Sequence, residues 1–367
     1  MKKILLTLSA LATLTLFASK TQAQGCVAIR STGGICSMTE HPEGEHTTGG
    51  SWILNVNTRY FMSNKHFKGD VYQKERLEVG NEVINYQFAT DLSLIRVFNN
   101  RWSAMVDVPI ISNVRSSKYE HNAPPNLSDK RGRTSSFGLG DIRVAAYRWL
   151  FNPETSPKAN LQVGLGIKFA TGDYDYQDYW QNVGPGGTPE LRTVDQSIQL
   201  GDGGTGLTLE LNGFTAVAKN LGLYANAFYL ANPRQNNGVR TYREKVSAAI
   251  ANEAISSVPD QFMARVGANY ALNKWVFSGG ARIEGIPIHD VIGGSGDFRR
   301  PGYVISVEPS ITYQLSKINF YASVPVAVYR KRTQSVTDRA RQTGPVFVNG
   351  DAAFADYSVN LGISFRL

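Results

Sequence analysis

The chain has 367 residues, a formal charge of +8, 42% hydrophobic and 19% charged residues, and a mean hydropathy of −0.23. That length allows one large domain or two ordinary ones, and the balance fits a soluble protein or a membrane barrel, whose strands are half water-facing. The positive charge is dispersed, with no dense Lys/Arg run interleaved with aromatics, so no nucleic-acid surface is expected.

Residues 1–23, "MKKILLTLSALATLTLFASKTQA", place Lys2 and Lys3 before an apolar run from Ile4 to Phe17 and the small residue Ala23. This is the pattern of a secretory signal peptide and is set aside from the fold. No later apolar run reaches the roughly twenty residues of a spanning helix. The mature chain is therefore expected to be exported, beginning with a periplasmic segment over 24–50. That segment holds both cysteines, Cys26 and Cys36, with Gly33 and Gly34 between them. In an oxidising compartment a disulfide closing a small loop is the preferred reading. Acylation of Cys26 behind the poor lipobox Ala23–Gln24–Gly25, or a metal site completed by His41 and His46, are the alternatives.

From 51 onward the signal is alternation. "INYQFATDLSL" sets Ile84, Tyr86, Phe88, Leu92 and Leu94 against Asn85, Gln87, Asp91 and Ser93. "ANLQVGLGIKF" sets Leu161, Val163, Leu165, Ile167 and Phe169 against Asn160, Gln162 and Lys168. "YVISVEPSITYQL" (303–315) and the closing "ADYSVNLGISFRL" (355–367) repeat the pattern, and similar stretches fall near 51–61, 101–112, 137–151, 205–218, 221–231, 260–272, 274–287 and 317–329. About twelve such strands result, each near the ~10 residues that cross a membrane as a tilted strand.

The connections alternate in length. Short turns lie at 98–101, 152–158, 219–222, 272–274 and 315–317; long polar loops lie near 62–82, 113–136, 172–204, 232–259, 288–301 and 330–353. A soluble sandwich has no reason to put every short turn at one end. A transmembrane antiparallel β-barrel over 51–367 does, with short periplasmic turns, long extracellular loops and no open edge. Its apolar faces then meet outer-membrane lipid. Its inward, pore-lining positions carry both signs: Arg59, Lys168, Arg265 and Arg282 against Asp91, Asp107, Glu210, Glu284 and Glu308.

Three stretches, "SFGLGDIRV" (136–144), "GIKFATGDYD" (166–175) and "QLGDGGTGLTLEL" (199–211), resemble the outer-membrane transporter family associated with the meta-pathway of phenol degradation. The resemblance runs in the same order across most of the mature chain. It implies a barrel that takes up small hydrophobic or aromatic compounds.

Other candidate sites compete with plainer readings. "GDGGTG" (201–206) lacks the Lys-Ser/Thr of a phosphate loop and reads as a glycine turn into a strand. Tyr174, Tyr176, Tyr179 and Trp180 offer an aromatic platform at the mouth, and Asp173, Asp175 and Asp178 among them would suit calcium, though a girdle and polar loop explain them without metal. His289–Asp290 with Ser295 is the only trace of a hydrolytic set. Over 241–257, Val246, Ile250 and Ala254 recur at helical spacing, which predicts a short helix at the mouth.

The expected function is a narrow passive channel for a small solute, with no cofactor, no metal and no catalytic residue. An outer-membrane hydrolase or protease and an adhesive barrel are the competing classes. Loop 113–136 carries five basic residues against two acids and loop 172–204 one against six, so the mouth should steer weakly by charge.

Overall fold

The computed structural model describes residues 49–118, 131–240, 246, 248–345 and 347–367. The signal peptide and the Cys26–Cys36 disulfide lie outside the described residues. Twelve strands form the wall: β1 (Trp52–Ser63), β2 (Ile84–Val97), β3 (Trp102–Ser117), β4 (Gly132–Leu139 continued by Arg143–Trp149), β5 (Ala159–Lys168) and β6 (Gly206–Ala218). The second half comprises β7 (Leu221–Ala231), β8 (Gln261–Leu272), β9 (Trp275–Ile286), β10 (Gly302–Gln314), β11 (Ile318–Ser323 continued by Val326–Arg332) and β12 (Ser358–Arg366). Each strand pairs antiparallel with its sequence neighbour, and β12 closes the ring against β1, with Val56 opposite Ile363 and Tyr60 opposite Val359. Closure satisfies every wall strand on both sides, as a bilayer demands.

Which face meets lipid is settled on β12. Tyr357 and Leu361 are exposed while Ser358 and Asn360 are buried. The same holds around the wall, where Leu165, Leu207, Val266 and Val307 point outward and Asn57, Asn113, Asn212 and Asn226 point inward. An apolar cylinder around a polar interior is a transmembrane barrel. The short turns share one end. Asn220 and Asn273, at φ 64° and 53°, make two of them, in the left-handed region that Asn tolerates. Aromatics collect beside them: the Trp275 and Tyr313 rings are 4.5 Å apart.

Two strands are interrupted. β11 breaks before Val326 at Pro325, which has no N–H to give the ladder. β4 bends over Gly140–Ile142, where a side chain on Gly140 would come within 2.6 Å of the Ile111 Cδ1. Across this bend the faces change parity: Arg133, Phe137 and Leu139 are exposed above it, and Val144 and Arg148 below it.

The long loops carry their own structure at the other end. Gln177–Trp180 pairs with Glu190–Thr193, and Lys65–Lys68 is flanked by Val71–Tyr72 and Ala352–Phe354. A short helix, Val336–Arg341, starts on a reciprocal cap between Ser335 and Asp338. The helix expected over 241–257 is not formed in the described part of that stretch. Ala248–Glu253 is a 3-10 turn that leaves helical geometry at Ile250 (φ −132°, ψ 29°), and Ile255–Ser257 is a strand paired with Asn236–Arg240. Spacing alone cannot outweigh a partner strand that offers Ile255 a ladder.

Candidate functional site

The three glycine-acid stretches converge on Lys168, the last residue of β5. Its Nζ donates to Asp141 Oδ2 at 2.9 Å, Asp202 Oδ1 at 2.5 Å and the Gly204 carbonyl at 2.7 Å. Asp141 also accepts the Gly172 N–H at 3.0 Å, and Asp202 accepts the Gly204 N–H at 2.8 Å. A Cβ on Gly201 would stand 2.5 Å from the Gly172 carbonyl oxygen, so the two chain segments approach as only glycine permits. Two carboxylates and a carbonyl repay the burial of one ammonium. This knot ties both ends of the 172–204 loop to the wall.

Between those ends the loop turns into the barrel. Val194, Ile198 and Leu200 are buried, and the 3-10 turn Gln196–Ile198 hangs across the mouth. The Ile198 carbonyl accepts from Asn113 Nδ2 at 3.0 Å and from the Ser136 hydroxyl, and Gln87 Nε2 donates to the Ser197 carbonyl. Asp195 is the anchor. Arg300, from the 288–301 loop, donates to both its oxygens at 2.7 and 2.9 Å, and Arg115 of β3 stands 3.4 Å away. Burial opposes the charge on Asp195, but Arg115 and Arg300 outweigh it and hold the carboxyl well below the usual carboxylate range.

Below this roof lies a chamber of about 160 Å³. Pro109, Phe228, Leu230 and Ile286 give it an apolar wall; Asp91, Asp107 and Arg143 face it from the barrel strands, and Gln196, Ser197 and Gln199 face it from the roof. Beside the chamber, at about the depth of Asp91 and Asp107 along their strands, the lumen is crossed by ion pairs. Arg59 on β1 reaches Glu284 on β9 at 3.1 Å, and Arg282 holds the same carboxylate at 2.8 Å. Glu308 stands 3.7 Å from Arg282 and 3.8 Å from Arg265 and accepts from Ser323 at 3.3 Å. Arg265 also donates to Asn226 at 2.9 Å. These side chains come from six wall strands and make a floor under the Phe228 and Ile286 side of the chamber.

All nine charged residues read as inward have buried side chains inside the barrel. Asp91, Asp107 and Lys168 border the chamber; Arg59, Arg265, Arg282, Glu284 and Glu308 form the floor; Glu210 pairs with Arg143 and accepts from Tyr147 at 3.0 Å. Sequence reasoning missed Arg143, because straight alternation from Phe137 carries it outward and the β4 bend reverses that parity. It also missed Arg115, on a β3 that runs to Ser117, and the Asp195–Arg300 pair between two loops. The "DIRV" stretch was the one visible signal, since a lone Arg between Asp141 and Val144 has no place on a lipid face.

The four mouth aromatics do not share one surface. Trp180 is buried, its hairpin neighbour Tyr179 is 58% exposed on the opposite face, Tyr174 lies under the Arg234 guanidinium at 5.9 Å, and Tyr176 is half-buried. The acids between them are tied to protein groups: Asp175 to the Thr193 hydroxyl and Asp178 to Ser135. Among the described residues no group of three metal-ligating side chains assembles. His289 is exposed, while Asp290 is clamped by Arg299 at 2.6 and 2.7 Å and its N–H donates to the Ser295 hydroxyl, so no base is set beside that serine.

No protein-family model and no curated protein matches the chain. Solved structures do. An outer membrane channel from Pseudomonas putida F1 aligns over 88% of this chain and 97% of its own, at 11% identity and a TM-score of 0.57. The fold is that of a twelve-stranded outer-membrane β-barrel. The CymD monoaromatic hydrocarbon channel covers 95% of this chain and 99% of its own at 8% identity and a TM-score of 0.42. The NanC porin covers 86% and 100% at 10% identity and 0.38.

Proposed function

We propose that the protein is a bacterial outer-membrane channel, exported behind a cleaved signal peptide, for passive uptake of small hydrophobic or aromatic solutes. The carrying observation is the chamber between roof and floor. Its volume of about 160 Å³ is close to that of cavities in which a one-ring aromatic fits. Its apolar wall receives the body of such a solute, and the convergent polar groups orient a single hydroxyl or amine. The pairing of both signs in the floor disfavours free passage of ions. The sequence resemblance to the phenol meta-pathway transporters supports the same solute class.

Purified protein in liposomes tests the reading. Entry of a one-ring aromatic should exceed that of a sugar of similar size, with small single-channel conductance. A large ohmic conductance and equal entry of both would make it a general porin and overturn the proposal. Orientation is tested on intact cells with an impermeant thiol label: Gln342→Cys should react and Thr155→Cys should be protected.

A further inference from the structure

Each of the five short turns carries one basic residue: Arg101, Lys158, Lys219, Lys274 and Lys317 in chain order. Glu154 is the single acid on those turns. The four lysines are exposed and make no ion pair among the described residues. Just inside them, the outward faces of two strands end in arginines laid over tryptophans. Arg96 stands 5.0 Å from the Trp52 ring and Arg148 5.3 Å from the Trp102 ring. Between this level and Arg133 and Lys331 near the other rim, no outward-facing position of the described strands is charged.

Tryptophan and tyrosine mark the depth of the lipid headgroups on a barrel. The cations therefore stand at the depth of the headgroup phosphates, where guanidinium and ammonium groups donate charge-assisted hydrogen bonds to phosphate oxygens. Their distribution decides the partner. A protein docking from below would cover one sector, whereas this ring passes every hairpin of the wall. We propose that the short-turn rim binds anionic phospholipid headgroups and holds an anionic annulus around the barrel. The inference rests on the transmembrane fold and is independent of the solute carried.

Native mass spectrometry of the full chain, equilibrated with equal phosphatidylglycerol and phosphatidylcholine in neutral detergent, tests it. Wild type should retain phosphatidylglycerol over phosphatidylcholine. The triple variant Lys219→Gln, Lys274→Gln, Lys317→Gln should weaken that retention by about fivefold per lysine, the worth of one basic residue at an anionic surface. The matching triple to arginine should keep it. Heat-modifiable migration reports whether each barrel is intact, and if the glutamine variant fails to fold, a salt series on wild type decides: added NaCl should strip phosphatidylglycerol first. Equal retention of the two lipids, indifference to charge removal or to salt, or displacement by glycerol phosphate as effective as by lipid would each overturn the proposal.

Discussion

Roof and floor both cross the lumen, and they are built differently. The floor is made of side chains on wall strands, with Arg59, Arg265, Arg282, Glu284 and Glu308 each rooted in a strand hydrogen-bonded on both sides. The roof is a loop segment hung from the wall by a few polar contacts and by Asp195 held between two arginines. Moving the floor means deforming the barrel; moving the roof means breaking contacts that a loop can reform. The difference teaches which element can move without deforming the wall: on the proposed channel reading the roof is the gate and the floor is fixed.

The largest effect is expected from breaking the floor. Glu308→Ala leaves Arg265 and Arg282 without a carboxylate they share, and stranding buried charge of this kind costs about 3–5 kcal/mol. Urea unfolding in detergent should show that loss. An unchanged midpoint would mean that water already solvates the floor.

Next comes the roof. Asp195→Asn should raise single-channel conductance severalfold while the barrel keeps its unfolding midpoint, since the ladder is untouched. Conductance at the wild-type level would mean that the Ile198 carbonyl contacts alone hold the segment.

Ile286→Trp, which fills the chamber, should slow entry of the one-ring aromatic more than it changes ion conductance. Equal effects on both would place the solute path elsewhere.

The smallest effect concerns pH. The carboxyl of Asp195 is held below its usual range, so its stabilisation is complete above the unfolded-state value near 4 and is lost only as pH falls through the folded value. Asp351, in the 330–353 loop, behaves alike: burial opposes its charge, but the hydrogen bond to His66 and the Arg76 guanidinium lower it to about 2. Conductance should therefore be flat from pH 7 to about 4. A step in that window would assign gating to another group.

Much of the barrel was legible because period two is a direct readout of two solvents. Asn57, Asp91 and Asn360 alternate with Val56, Leu92 and Leu361, and turn length then distinguishes the two ends. The floor was legible for the same reason: charge on an alternating strand has only one side to go to. Arg143 was not, since a bend at Gly140 changes parity without any change in the pattern around it.

The sequence by itself determined the strand set, the lipid face, the short-turn end and nine of the inward charges, because alternation along each strand and the lengths of the connections record them locally. Only the tertiary structure decided that Asp141, Lys168 and Asp202 form one knot, that Asp195 meets Arg115 and Arg300, and that residues 194–200 roof a chamber. Those contacts join loops and strands far apart in the chain, and no periodicity records them. They exist because a buried charge needs its counter-charge wherever the fold brings one within reach.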